Sequence, residues 1–404
     1  MMRLSRDQSV VPVLTFHSVG MNYGDWTWSH LSESAEMFES FLVRLHSQGY
    51  KTVSLQQLYD HMSGEGRCDP KSIVLVFDDG YLDNWTTVAP LLKKYGMLGA
   101  VYVNPEFVDP GTEIRPTLDD LAGKVEDLHS IEHRGFMNWA ELAALDSSGV
   151  LDVQSHSMSH TWYFTGPRIV DCFAPTTAPT YPWMSWNARP ERKPFYLSED
   201  QSEFVPWGTP VFENEKSIIA RRFSPDPQMV AKIETEVERQ GGFEFFADPD
   251  WKDRYRKITS DITGDRPFPG DRESEHDFEE RVRWELAEAK SIIENKLNKQ
   301  VHFLCWPGGG VNATAKRLAL ESGHRSWTLP GGDASDKRNV PGSDATEVKR
   351  VPAMREVVFF GRKWGHGSDI LMLLDVMTHQ NSFIVRRLRD LYKVSVALGL
   401  AGQR

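Results

Sequence analysis

The run Ile73-Val74-Leu75-Val76-Phe77 is uninterrupted apolar sequence rich in β-branched side chains. A strand with both pleat faces apolar must be covered on both sides, which favours a parallel sheet flanked by helices over an antiparallel sheet with one wet face. The run stops abruptly at Asp78-Asp79-Gly80, and a second strand-like run, Leu151–Ser155, stops at His156-Ser157-Met158-Ser159-His160. Adjacent Asp residues and two His four apart offer hard oxygen and borderline nitrogen donors, the set expected for Zn²⁺ or a similar first-row divalent ion. Three such ligands that leave a position open make a hydrolytic centre rather than a structural one. Taken alone, Asp-Asp-Gly reads as a turn and His-x-x-x-His as a solvated pair on a helix. Their joint occurrence at two strand ends favours the metal reading.

The rest of the chain repeats the strand–helix rhythm. Val11–Phe16 reads as a short buried strand ending at His17, and Ala35–Gln48 carries a helical stripe of Met37, Phe38, Phe41, Leu42 and Leu45. Tyr50–Val53, Gly99–Val103, Val301–Trp306, Ser326–Leu329 and Val348–Val351 read as further strands. Leu55–Met62, Asn84–Tyr95, Asn138–Ser147, Glu279–Leu297 and Asn312–Ser322 read as helices, with Asn138 as an N-cap and Gly96 as a stop. Such alternation predicts an α/β fold with a parallel sheet or a (β/α) barrel. In a barrel the chemistry sits at the C-terminal strand ends, where His17, Asp78, Asp79, His156 and Pro307 all fall.

Between His160 and the helix near Phe278 the rhythm fails. This stretch is rich in Pro, Trp, Phe and charge, and too long for a structureless loop. Glu215–Phe223 and Pro227–Gln240 read as helical, and Asp261–Asp277 as polar loop. We expect one domain over residues 1–404, with residues 161–277 as an insertion over the barrel mouth and residues 361–404 as a helical extension. Trp162, Trp183, Trp186 and Trp207 could stack on sugar rings or form a local core for the insertion. The acidic run Asp271–Glu280 reads as a solvated face.

Composition removes several alternatives. The net charge of −11 argues against a nucleic-acid binder. Cys68, Cys172 and Cys305 are odd in number and lack a CxxC spacing, so they suggest no disulfide framework and fit a reducing compartment. The first residues, Met1 to Asp7, are too polar for a signal peptide, and no run approaches the roughly 18 apolar residues of a membrane span. A cytoplasmic location without a transmembrane segment is the expectation.

Val76-Phe77-Asp78-Asp79-Gly80 and Ser155-His156-Ser157-Met158-Ser159-His160 resemble the first two motifs of the polysaccharide deacetylases, the NodB-homology domain of carbohydrate esterase family 4. Phe303–Gly309, with Gly323-His324-Arg325 beyond the next helix, resembles the third motif and the segment after it. Val13-Leu14-Thr15-Phe16-His17-Ser18-Val19 opens the chain, as in the circularly permuted branch that includes the poly-N-acetylglucosamine deacetylases, and Arg350-Val351-Pro352 resembles a late strand of that branch. The likeness covers roughly residues 10–160 and 280–360. It implies a deformed (β/α) barrel, one divalent metal ion (Zn²⁺ first, with Co²⁺, Ni²⁺ or Fe²⁺ as alternatives) and an N-acetylated glycan or glycan precursor as substrate. It makes Asp79, His156 and His160 the metal ligands, Asp78 the general base and His17 the general acid on the departing amine. Imidazole suits that last task near neutrality. Gly80 and Gly308 leave room for backbone N–H groups near an oxyanion.

The chain also departs from the family pattern. Cys305 stands where an Arg usually precedes the third-motif Pro, and Gly308 where an aromatic follows it. That Arg normally holds the catalytic Asp, so Arg350 and Arg355 become candidates for its task. His324 reads as part of a helix-to-strand turn, and His366, in a Gly-rich loop, is a rival acid. Two other functions stay open: hydrolysis of a non-sugar amide or imide, and a glycan-binding relic of the fold without activity.

Overall fold

The computed structural model describes residues 9–20, 26–121, 124–329, 338–353, 356–359, 362–366, 368–380 and 383–397. Two compact units emerge, one of residues 1–157, 290–309 and 323–404, the other of residues 158–289 and 310–322.

The first unit is built on a nearly closed parallel barrel. Its sheet runs Glu347–Lys349, Ser326–Leu329, Phe303–Leu304, Leu151–Ser155, Gly99–Val103, Ser72–Phe77, Val13–Phe16 and Val351–Pro352, every neighbour parallel. A ninth strand, Lys51–Thr52, pairs with Ser72–Phe77 off this path. The first and last strands of the path are consecutive in the chain, separated by Arg350 alone. A single segment thus pairs on one side with Ser326–Leu329 and on the other with Val13–Phe16. The expected strand Val348–Val351 is therefore two strands, because each half finds a different partner.

Alternation along the central strand explains its composition. Val74 and Val76 pack with Val13, Tyr102, Phe303 and Cys305 in one cluster, whereas Ile73, Leu75 and Phe77 pack with Phe16, Phe38 and Phe41 in another. Successive side chains point to opposite faces, so a strand serving both clusters has no place for a polar residue before its end. All six residues of Ser72–Phe77 are buried. The helix Ala35–Ser47 is capped by Ser34, whose side chain accepts from the Met37 N–H, and it buries Phe38, Phe41, Leu42 and Leu45. Asn138 and Glu141 form a capping box at the start of Trp139–Ser148.

Several expectations change in this unit. The helix read over Asn84–Tyr95 opens with a π-helical turn, Asn84–Val88, before the α-helix Ala89–Lys94. The strand read over Val301–Trp306 contracts to Phe303–Leu304. His366 ends a strand, Arg362–His366, antiparallel to Glu356–Phe359, rather than sitting in a loop. The helices Asp369–His379 and Phe383–Ala397 follow it. Arg355 lies outside the described residues.

The second unit has its own core. Strand Trp162–Cys172 pairs antiparallel with Pro210–Lys216, and Phe223–Pro225 pairs with Gly270–Arg272. Helices Pro227–Arg239 and Trp251–Thr263 bring Ile233, Val237, Trp251, Tyr255 and Ile258 against Phe212 and Phe223. The helix read over Glu215–Phe223 is absent: Glu215 and Lys216 end one strand and Phe223 begins another. Nor is Asp261–Asp277 a loop throughout, since the helix runs to Thr263, a strand occupies Gly270–Arg272 and the next helix starts at Glu275. The strand parts of both segments were missed because their pairing partners are distant in sequence. Trp183 and Trp186 are buried, which assigns them to the core of this unit. Trp207 stacks on Phe173 with ring centroids 5.4 Å apart.

Among the described residues, no helix is long and apolar enough to cross a membrane.

Candidate active site

The strand Ser72–Phe77 delivers Asp78 at the position after Phe77, on the same pleat parity as Val74 and Val76. Asp78 is buried, and the Arg350 guanidinium meets it through one nitrogen: Nη1 donates to Oδ1 at 2.9 Å and to Oδ2 at 2.7 Å. The Cys305 thiol donates to Asp78 Oδ2 at 3.5 Å, and His17 Nε2 stands 3.8 Å from the same oxygen. Burial alone would raise the Asp78 pKa. The positive charge of Arg350 is the first influence opposing it, and the carboxyl is held below its ordinary value. Asp78 is thus an ionised carboxylate at neutral pH. Arg350, one of the two arginines expected to stand in for the third-motif Arg, pairs with Asp78 and sits where the closing segment passes from one strand partner to the other.

Asp79 leaves the strand direction. Its φ of 74° and that of Gly80, 73°, are both left-handed. Gly80 has a second reason to be glycine, since a Cβ there would meet Val103 Cγ1 at 2.9 Å. Of the five non-glycine residues with positive φ among those described, Asp79, Ser157 and His160 lie in the two motifs. Such local cost persists where the surroundings over-determine the backbone, and it concentrates at functional sites.

The turn brings the Asp79 carboxylate to His156, with Oδ1 3.2 Å from Nε2. His156 is buried, and its Nδ1 donates to the Cys305 carbonyl at 2.8 Å. A ring nitrogen that donates to a carbonyl leaves the other with its lone pair free to ligate, the arrangement common among metal-binding histidines. Asn104 secures the same loop by donating its Nδ2 to the His156 carbonyl and, at 3.2 Å, to that of Ser157. This donor set fits a divalent cation: one carboxylate and one oriented imidazole converge, and the ring tautomer is fixed. His160 falls in the second unit, half-buried, its ring 5.6 Å from that of Trp162. Next to it, Ser159 donates its N–H to the buried Glu285 at 2.9 Å and accepts from Lys193 Nζ at 2.8 Å.

His17 follows strand Val13–Phe16 and is partly exposed, its side chain 26 % accessible against 4 % for Asp78. Solvent therefore reaches the imidazole, while the carboxylate is screened from it. His324 is buried just before strand Ser326–Leu329, at the turn expected for it. Asn104, Asp83 and Asn84 were not singled out by sequence reasoning. Their types and positions carry no local signal of a role, and only the partners they reach give them away.

In a barrel of parallel strands an active site sits at the C-terminal strand ends, which is where these charged residues fall. Residues 65–182 match the family model described as polysaccharide deacetylase. Over 150 residues it is 24 % identical to the "Putative polysaccharide deacetylase YxkH" of Bacillus subtilis strain 168, a match covering 37 % of this chain and 43 % of that protein. In structure it is similar to a de-N-acetylase from Aggregatibacter actinomycetemcomitans, with a TM-score of 0.49 and 16 % identity over 85 % of this chain and 94 % of the other. It is likewise similar to the BpsB deacetylase domain from Bordetella bronchiseptica, with a TM-score of 0.49 and 17 % identity over 85 % and 95 %.

Proposed function

We propose that this protein is a metal-dependent hydrolase that removes N-acetyl groups from an N-acetylated sugar, in a polysaccharide or a glycan precursor. The observation that carries the reading is the pairing of two carboxylates with different surroundings at one strand end. Asp78 is buried against Arg350, while Asp79 is turned by its left-handed backbone toward the oriented imidazole of His156. Asp79, His156 and His160 would hold the ion, Zn²⁺ being the first candidate. When bound, such an ion polarises a carbonyl and lowers the pKa of a coordinated water.

The chain's own groups supply the proton transfers. Asp78, kept ionised by Arg350, accepts a proton from the water that attacks the acetyl carbonyl. His17, solvent-accessible and 3.8 Å from Asp78, donates a proton to the nitrogen as the C–N bond breaks. Acetate and a free amino sugar result. Acetate release from N-acetylglucosamine oligomers by the Zn²⁺- or Co²⁺-loaded protein tests the reading, with Asp79→Asn as the control. No release above that control on any N-acetylhexosamine oligomer would overturn the sugar substrate.

A further inference from the structure

The chain beyond Asp78-Asp79-Gly80 turns back onto the segment that carries His17. Asp83, wholly buried, accepts from the Ser18 hydroxyl and, at 2.8 Å, from the Val19 N–H, both through Oδ2. Its neighbour Asn84, equally buried, donates Nδ2 to the His17 carbonyl at 2.9 Å and to Asp83 Oδ1 at 2.9 Å. Three consecutive residues, His17, Ser18 and Val19, are thus gripped by two consecutive side chains. The grip coincides with the π-helical turn Asn84–Val88, in which the Ala89 N–H bonds the Asn84 carbonyl five residues back. Single π turns are rare and widen a helix by one residue. Here the widened turn opens at Asn84, the residue that holds the His17 carbonyl.

A buried carboxylate is costly unless its acceptors are filled, and a buried Asn needs partners for its amide. Here the pair also fills the Val19 N–H and the Ser18 hydroxyl, both buried, which would lose these partners with an apolar side chain at position 83. What the pair adds is a fixed offset between the loop bearing Asp78 and Asp79 and the backbone bearing His17. We infer that Asp83 and Asn84 are positioning residues that set where the His17 imidazole stands relative to the reacting amide. This rests on the reading of His17 as the general acid. Proton donation to a leaving nitrogen needs the ring within hydrogen-bond reach, and a misplacement of about 1 Å can cost on the order of 10²-fold in rate.

Asn84→Ala and Asp83→Asn are made alongside His17→Ala, and far-UV circular dichroism and metal content are measured first. Turnover is then compared on an N-acetylglucosamine oligomer, whose amine must be protonated, and on 4-nitrophenyl acetate, whose leaving group needs no proton. Both positioning variants should lose about 10- to 100-fold on the amide and less than about threefold on the ester, with metal retained. Amide turnover within about threefold of wild type, or equal losses on both substrates, overturns the inference. If Asp83→Asn does not fold, Asn84→Ala decides, because it removes one side-chain amide and no charge.

A second measurement separates this inference from the function on which it rests. In protein labelled with ¹³C-histidine, the His17 ring signal is identified by its loss in His17→Ala. In Asn84→Ala that signal should broaden or split, while the signal of His302, which precedes strand Phe303–Leu304 at the opposite end from the site and donates its backbone N–H to Gln154, stays put. An unchanged His17 signal overturns the positioning role whatever the substrate. Conversely, a changed signal combined with equal amide and ester losses in His17→Ala would leave the grip intact and sink the acid assignment.

Discussion

Replacing Arg350 by Met removes the charge that keeps Asp78 ionised while preserving most of the side-chain volume. In the native protein Arg350 Nη1 lies 2.7 and 2.9 Å from the two Asp78 oxygens, and the side chains of Arg350 and Asp78 are only 13 % and 4 % exposed. Breaking a buried pair by deleting one partner typically costs about 3–5 kcal/mol, because the remaining charge is stranded. If Asp78 escapes that cost by taking up a proton, about 3 kcal/mol corresponds to a rise of about 2 pH units in its pKa, at about 1.4 kcal/mol per unit. The sign follows from the native shift. Asp78 is held below its unfolded value, so its contribution to stability is present above that value and lost as pH falls through the lower folded one. In the variant, burial acts against a weakened set of positive charges. The deficit should be largest at neutral pH and narrow as the solution is acidified. The assays are the pH dependence of kcat/KM and thermal unfolding at pH 7 and pH 5. The acid limb should move to higher pH, and the midpoint loss should be greater at pH 7. Because one nitrogen makes both contacts, Arg350→Lys should recover part of the native behaviour, an outcome not expected of a fork-like pair. An unmoved acid limb together with a stability loss under about 1 kcal/mol would refute the reasoning.

Other outcomes follow from the same geometry. Asp78→Asn should retain metal yet lose about 10²–10⁴-fold in turnover, whereas Asp79→Asn should lose both metal and activity; near-normal turnover by Asp78→Asn would remove it as the base. His156→Ala should fold and bind a divalent ion much more weakly, read by mass spectrometry or chelator competition, because the ring ends a loop tied down separately by Asn104. Gly80→Ala should destabilise by about 1–3 kcal/mol, since its φ of 73° is left-handed and a Cβ would press on Val103; unfolding within about 0.5 kcal/mol of wild type would contradict this.

Local sequence carried much of the fold and half of the site. The apolar run ending at Phe77 declared a strand covered on both faces, and the helix Ala35–Ser47 declared its buried stripe, because strand and helix periodicities are written within a few residues. Asn138 marked a helix start for the same reason. His17, Asp78, Asp79 and His156 were legible because strand ends point to one face of a parallel barrel. Tertiary structure alone decided what holds them. Arg350 reaches Asp78 across 272 residues of sequence, at a point where one segment splits into two strands because each half meets a different neighbour. Glu215–Phe223 looked helical until the strand pairing with Trp162–Cys172 and Gly270–Arg272 claimed its ends. Asn84 was read only as the first residue of a helix and Asp83 not at all, because their meaning lies in acceptors and donors more than sixty positions away. Periodicity is a property of neighbours along the chain. Charge compensation and strand partnership depend on what packing brings near, and no short stretch of sequence encodes that.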